Sequence, residues 1–303
     1  MAQRDIDYVL SKLDWMRDER IWPTGRRYLW TDAFGLVLYV SLYRETGEDK
    51  WLESAKALVA DVDRVLGRPR GYRIGEAADR DGQYFHYLAM WLYALACLGE
   101  HEHEYRDKGI RVAKAIHRPF VIPGTGVIWK MEEDLSAPYP GYGLGAMDAF
   151  DGYVSYRMLD ETELAQEIAE MKAIMDRQYQ RLDIDQDLGL GMMLWLAHFF
   201  PDEDWAKVQS QRAFDALDRL WVDPPGYFGR ASYARNVIIA FANYGVSVGL
   251  QSWERWPERV ERLNAFFETY RSGDEYDREA ITGVMACSSH FPGALLSPDW
   301  NLA

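Results

Sequence analysis

The segment WTDAFGLVLYVSLYRETG, Trp30 to Gly47, decides the fold. Thr31 or Asp32 suits the start of a helix, and Gly47 suits its end. Between them Phe34, Leu36, Val37, Leu38, Tyr39, Val40 and Leu42 cover nearly every face. A helix without a polar stripe has to be enclosed by other elements. The segment before it reads differently: Ile6, Val9, Leu10, Leu13 and Met16 recur at helical spacing among charged residues, and Trp22-Pro23-Thr24-Gly25 breaks the pattern.

This alternation of a charged amphipathic helix, a Gly/Pro-rich loop and an apolar helix returns roughly every 45 to 60 residues. The apolar segments open at Trp30-Thr31-Asp32, Asp81-Gly82-Gln83-Tyr84, Gly145-Ala146-Met147-Asp148, Asp187-Leu188-Gly189, Arg235-Asn236 and Asp277-Arg278-Glu279. Amphipathic helices are predicted over 51–66, 103–118, 161–181, 204–222 and 257–271. Apolar ones are predicted over 84–98, 146–159, 190–200, 237–253 and 280–289. Gly124-Thr125-Gly126 and Pro225-Gly226 mark tight reversals or short strand pairs. With no strand-period segment of useful length, the fold class is all-α.

Six apolar helices bury one another best as an inner ring within six amphipathic ones, an (α/α)6 barrel. An open solenoid would leave each helix a polar face, whereas the apolar helices here carry small residues for close packing (Gly35, Ala89, Gly189, Gly191, Ala240, Gly245, Gly249). No linker or low-complexity tract divides the chain, so residues 1–303 are expected to form one domain. The pattern of hairpins with polar-aromatic openings and Gly-rich loops resembles the six-hairpin glycosidase-like (α/α)6 toroids. That superfamily includes glucoamylase-like and trehalase-like hydrolases, unsaturated glucuronyl hydrolases and sugar 2-epimerases. The resemblance is architectural and implies a carbohydrate-active enzyme. Lanthionine cyclases and protein prenyltransferase subunits share such rings, so function has to be argued from the site.

Composition narrows the classes. The 303 residues carry a formal net charge of -14, with no Lys/Arg cluster, which disfavours nucleic acid and anionic membrane surfaces as partners. Cys97 and Cys287 both fall in apolar stretches, the N-terminus lacks an apolar signal region, and no apolar run reaches spanning length. The expectation is a cytoplasmic protein acting on a small-molecule substrate. Twelve Trp and 19 Tyr supply ample stacking surface.

In such a ring the inner helices start at one end, where their dipoles favour anions. Asp32, Asp81, Asp148 and Asp187 occupy those starts; helix capping is the ordinary role for each, while their convergence suggests a site. Asp148 and Asp151 share one face of an otherwise apolar helix, a costly placement unless it serves chemistry. The leading reading is glycoside hydrolysis, with Asp148 or Asp151 as general acid and Asp32 as opposing base or nucleophile. His86 is a further acid/base candidate. Trp30, Tyr84, Trp129 and Tyr244 are the expected substrate-stacking residues, and Arg235 a carboxylate ligand.

Two rival chemistries use the same residues. A sugar epimerase would place His86 and His290 across the pocket. A lyase or isomerase of an isoprenoid would use Asp32, His86 and a cysteine in an aromatic-lined cavity. Cys287-x-x-His290 lacks the second close pair that zinc sites supply, Asp183-Ile184-Asp185-Gln186-Asp187 lacks the remainder of a calcium loop, and no nucleotide-binding or nucleophile-elbow motif occurs. No metal and no cofactor are expected.

Overall fold

The structure is a computed structural model that describes residues 3–222, 228 and 238–296. Among these residues helices dominate, and their contacts gather into two compact units, residues 26–180 and residues 1–25 with 181–298.

The first unit holds α2 (Leu29–Thr46), α3 (Asp49–Leu66), α4 (Phe85–Gly99), α5 (His103–Phe120), α6 (Asp148–Leu159) and α7 (Ala165–Gln178). Helix α2 is buried from Leu29 through Leu42, as its unbroken apolar sequence requires. Gly47 ends it in the left-handed conformation (φ 67°), its N–H donating to Tyr43 O. Helix α3 buries only the stripe Ala55, Leu58, Val59, Val62 and Leu66, and α5 the stripe Gly109, Ala113, Ile116, His117 and Phe120. Helix α4 packs between α2 and α6, with α3, α5 and α7 laid against α2, α4 and α6 respectively. Fully buried Trp91 and Phe85 on α4 anchor this core, each such side chain stabilising the fold by roughly 1.5–3 kcal/mol.

The second unit contains α1 (Gln3–Asp18), α8 (Asp187–Ala197), α9 (Asp204–Leu220), α10 (Ala240–Gln251), α11 (Pro257–Thr269) and α12 (Ala280–His290). Helices α8, α10 and α12 pack in that order, with α9 on α8, α11 on α10, and α1 on α12. The α8–α10 contact is close because it uses glycine: a Cβ on Gly191 would stand 2.5 Å from Val246 Cα, and one on Gly249 would overlap Gly191 O.

The phase of the repeat differs from the sequence expectation. The packed pairs run from an apolar helix to the amphipathic helix after it, not from an amphipathic helix to the apolar one that follows. Short connections cause this: Gly47–Glu48 joins α2 to α3, and Glu100–Glu102 joins α4 to α5. The long loops lead on to the next apolar helix, and α1 takes α12 as its partner. The loop between α5 and α6 forms two short antiparallel pairings. β2 (Val121–Ile122) pairs with β3 (Gly126–Val127) around Gly124-Thr125, and β4 (Lys130–Met131) pairs with β1 (Gln83–Tyr84), the residues leading into α4.

Candidate active site

Two buried side chains shape the loop before α4. Asp81 Oδ1 accepts from the backbone N–H groups of Gly75 (3.2 Å) and Gly82 (2.9 Å), and its Oδ2 accepts from Arg73 Nη1 at 2.5 Å. Gln83 accepts from Tyr72 N through Oε1 (3.0 Å) and donates through Nε2 to Arg70 O (2.8 Å) and Glu133 O (2.6 Å). These bonds satisfy loop backbone that would otherwise lie buried without partners. Asp81 is thereby a structural residue.

The capping expectation is corrected here. Helix α2 begins at Leu29 with Tyr28 as its N-cap, so Thr31 and Asp32 lie inside its first turn. Asp148 and Asp187 are the first residues of α6 and α8, and neither helix has a side-chain cap bond. Asp32 instead pairs with Arg27, Oδ1 to Nη1 at 3.2 Å, with both side chains 3% exposed or less. Such a pair requires its geometry to hold, because loss of either member removes an ion-pair partner from a buried charge.

The starts of α2, α4 and α6 supply the remaining groups. His86 Nδ1 lies 3.7 Å from Asp148 Oδ1 and accepts from Trp129 Nε1 at 3.3 Å. Asp148 is buried, and its Oδ1 has no hydrogen-bond donor within reach among the described residues. Gly145 makes room for it, since a Cβ there would overlap the Asp148 carboxylate. Asp151, half-buried one turn along α6, has its carboxyl pushed well above the usual range, first by burial and then by the charge of Asp148. Both causes favour its protonated form over the carboxylate, next to the Asp148 charge on the same helix.

Aromatic rings surround this acid group. Trp30 contacts Tyr87 and His86 at centroid distances of 5.3 and 6.1 Å. Tyr84 lies 5.4 Å from His86 and 5.6 Å from Trp129. Trp129 is 40% exposed and Tyr142 36%, so this group presents open ring faces to solvent. Tyr28 and Tyr87 share a hydrogen bond at 2.6 Å, and burial raises the Tyr87 phenol well above its ordinary value.

Lys130 locks the rim. Only 1% exposed, its ammonium lies 4.2 to 5.0 Å from the ring centroids of Tyr139, Tyr84 and Tyr142, donates to Arg80 O at 2.6 Å and stands 3.6 Å from Glu76. The sequence reading assigned Lys130, Tyr142, Tyr87 and Tyr28 no role. Tyr87 directly follows His86 and Lys130 follows Trp129, so adjacency was the available signal.

Of the expected residues, Trp30, Tyr84, His86, Trp129, Asp148 and Asp151 are brought together in the unit of residues 26–180. Tyr244 belongs to the other unit, buried on α10 against Phe267. His290 is in that unit too, stacked on Tyr8 at 3.9 Å. Arg235 lies outside the described residues. Both cysteines are buried, and burial pushes the Cys287 thiol up to about 12, which makes it a poor proton donor or nucleophile. No helix among the described residues is long and apolar enough to cross a membrane.

The sequence matches no protein-family model and no curated protein. Solved structures do align with it over most of its length. A GH76 α-mannanase of Bacteroides thetaiotaomicron superposes with a TM-score of 0.68 at 10% identity, covering 95% of this chain and 96% of the mannanase. The fold is an (α/α)6 toroid. A cellobiose 2-epimerase from Spirochaeta thermophila shares this toroid fold, with a TM-score of 0.60 at 13% identity over 90% of this chain and 87% of its own. A D-mannose isomerase also aligns, with a TM-score of 0.60 at 12% identity over 82% of this chain and 75% of its own. At these identities the likeness is one of fold.

Proposed function

We propose that this toroid is a carbohydrate-active enzyme, a glycoside hydrolase on a small soluble glycoside, with Asp151, Asp148 and His86 as its reacting groups. The observation that carries the reading is the placement of Asp148 3.7 Å from His86, with Asp151, whose carboxyl is pushed up by burial and by Asp148, one turn along the same helix. Glycosidic cleavage needs one carboxylic acid to protonate the leaving oxygen and one carboxylate to activate water or to attack the anomeric carbon. Asp151 is suited to the first task and Asp148 to the second. His86 orients the carboxylate or relays its proton. Tyr84 and Trp129 offer ring faces to the apolar face of a sugar, while Trp30, only 6% exposed, packs behind them against His86 and Tyr87. Asp32, sequestered against Arg27, serves in this reading by fixing the start of α2 beside Trp30.

One observation favours a second reading. A histidine beside a carboxylate is also an acid/base pair for moving a proton to and from a carbon next to a carbonyl, and an isomerase and an epimerase share the fold. His290, stacked on Tyr8 with a side chain only 6% exposed, makes a weaker second base than Asp151. The test is incubation in D2O with α-mannooligosaccharides, D-mannose and cellobiose. Hydrolysis releases new reducing ends without carbon-bound deuterium, and epimerisation or isomerisation places deuterium on carbon. Absence of both reactions across glycosides and free sugars alike would refute the carbohydrate reading.

A further inference from the structure

A cavity of about 480 Å³ lies in the unit formed by residues 1–25 and 181–298. It falls within the roughly 300–1,000 Å³ typical of small-ligand sites. Helix α1 contributes Tyr8, Lys12 and Trp15, and α10 contributes Tyr244. Tyr270 and Arg271 follow α11. Six of its fifteen lining residues are aromatic.

The charges in the wall are Lys12, Arg271 and Asp277. Asp277 is already committed to its own turn, Oδ1 accepting from Ser272 N and Oγ at 2.8 Å each and Oδ2 from Gly273 N at 2.9 Å. Lys12 is half-buried, and its ammonium stands 4.3 Å from the Trp15 ring with no carboxylate in ion-pair range among the described residues. Burial pulls that ammonium below its usual value, the Arg271 charge adding to the effect. The wall also holds Thr282, whose buried Oγ1 has no hydrogen-bond partner among the described residues. Glu268 stands 3.9 Å from the His290 ring and is not part of the wall, though its charge reaches Tyr8 and Tyr244. Two of the three charges in the wall are positive; the Asp277 carboxylate acts on Arg271, which leaves Lys12 as the cation with no carboxylate in range among the described residues.

We propose that the cavity binds a small ring-bearing anion, a uronate or a sugar phosphate, its anionic group on Lys12 and Arg271 and its ring on the aromatic wall. An incoming anion compensates the Lys12 ammonium, and a carboxylate or phosphate can take the remaining donors of Arg271, whose Nη1 already donates to Glu268 O (3.2 Å) and Tyr270 O (2.6 Å). Neutral sugars lack the group that the site is short of. Loss of chemistry at Asp148 and Asp151 would leave this cavity untouched.

Calorimetric titration of the full chain with D-glucuronate, glucose 6-phosphate and D-glucose tests the assignment. Glucuronate, glucose 6-phosphate or both bind at least tenfold more tightly than glucose, and the stronger of the two identifies the anionic group. Lys12→Met, which keeps most of the apolar stem, and Arg271→Gln each weaken the charged ligand at least tenfold and leave glucose unchanged. Asp151→Asn, in the other unit, leaves binding intact. The proposal is overturned if neither charged sugar binds, if glucose binds equally well, or if both cation variants bind as the parent does. Loss of binding in Asp151→Asn alone would likewise overturn it by placing the ligand elsewhere.

Discussion

The imidazole of His86 and the carboxylate of Asp148 face each other at 3.7 Å, one on the start of α4 and the other opening α6. That separation exceeds a hydrogen bond by less than 1 Å, a gap that substrate closure or one bridging water can remove. Nδ1 of His86 meanwhile accepts from Trp129 at 3.3 Å. The ring nitrogen thus has two alternative partners, an indole donor and a carboxylate acceptor. Trp129→Phe, which removes the donor and keeps a ring, is expected to change kcat more than KM. Trp129→Ala is expected to raise KM about tenfold, near 1.4 kcal/mol of stacking, with the melting temperature nearly unchanged because Trp129 is an exposed side chain. Steady-state kinetics on both variants checks the split.

Asp151 makes the stability of the protein depend on pH. Its folded-state pKa is raised, so its favourable contribution is complete below the ordinary carboxylate range and is lost as pH rises through the folded value. Above that value the folded state has to hold a charge that burial and Asp148 both oppose. Asp151→Asn removes the charge, and the variant is expected to melt at least about 1 °C higher than the parent on the alkaline side of the transition. In acid the two should converge. Thermal melts from pH 4 to pH 9 read this directly.

The Arg27–Asp32 pair predicts a non-additive mutant cycle. Arg27→Met removes the ion-pair partner of a buried carboxylate and is expected to cost about 3–5 kcal/mol, while the double variant Arg27→Met/Asp32→Asn recovers most of it. Urea titrations of the two single variants and the double variant measure the coupling. Equal losses in the double and in the sum of the singles would show that the pair contributes nothing as a unit.

Gly249→Ala tests the close packing of α8 on α10. The added methyl would meet the backbone of Gly191, which no side-chain rotation can relieve. A loss of about 1–3 kcal/mol or more is expected, against a gain of several tenths for Gly→Ala at an unobstructed helix position. A stability equal to or above the parent's would mean that the helices separate at no cost.

The helices were legible because burial on all faces and burial on one stripe leave different marks in sequence: Trp30–Leu42 has no polar face, whereas 51–66 has one. Which helix packs on which was not legible, because it depends on connection length, and Gly47-Glu48 carries no mark naming its partner helix. Asp148 and Asp151 stood out as acids on an apolar segment. Asp32 stood out too, yet its engagement with Arg27 involves a residue five positions earlier that sequence spacing does not connect to it. Lys130 precedes the acidic run Glu132-Glu133-Asp134, a composition that by itself suits solvated surface. Only the return of the loop, laying Tyr139 and Tyr142 over the ammonium, buries it.

The measurement that bears most directly on the catalytic assignment is turnover by Asp151→Asn and Asp148→Asn with whichever sugar substrate the parent enzyme converts, alongside melting curves that establish folding. Removal of a positioned general acid or its partner carboxylate is expected to lower kcat roughly 10²- to 10⁴-fold, with KM changed far less. If both folded variants retain kcat within about threefold of the parent, well short of that range, the chemistry does not belong to these carboxylates and the site built around His86 and Asp148 is not the active site.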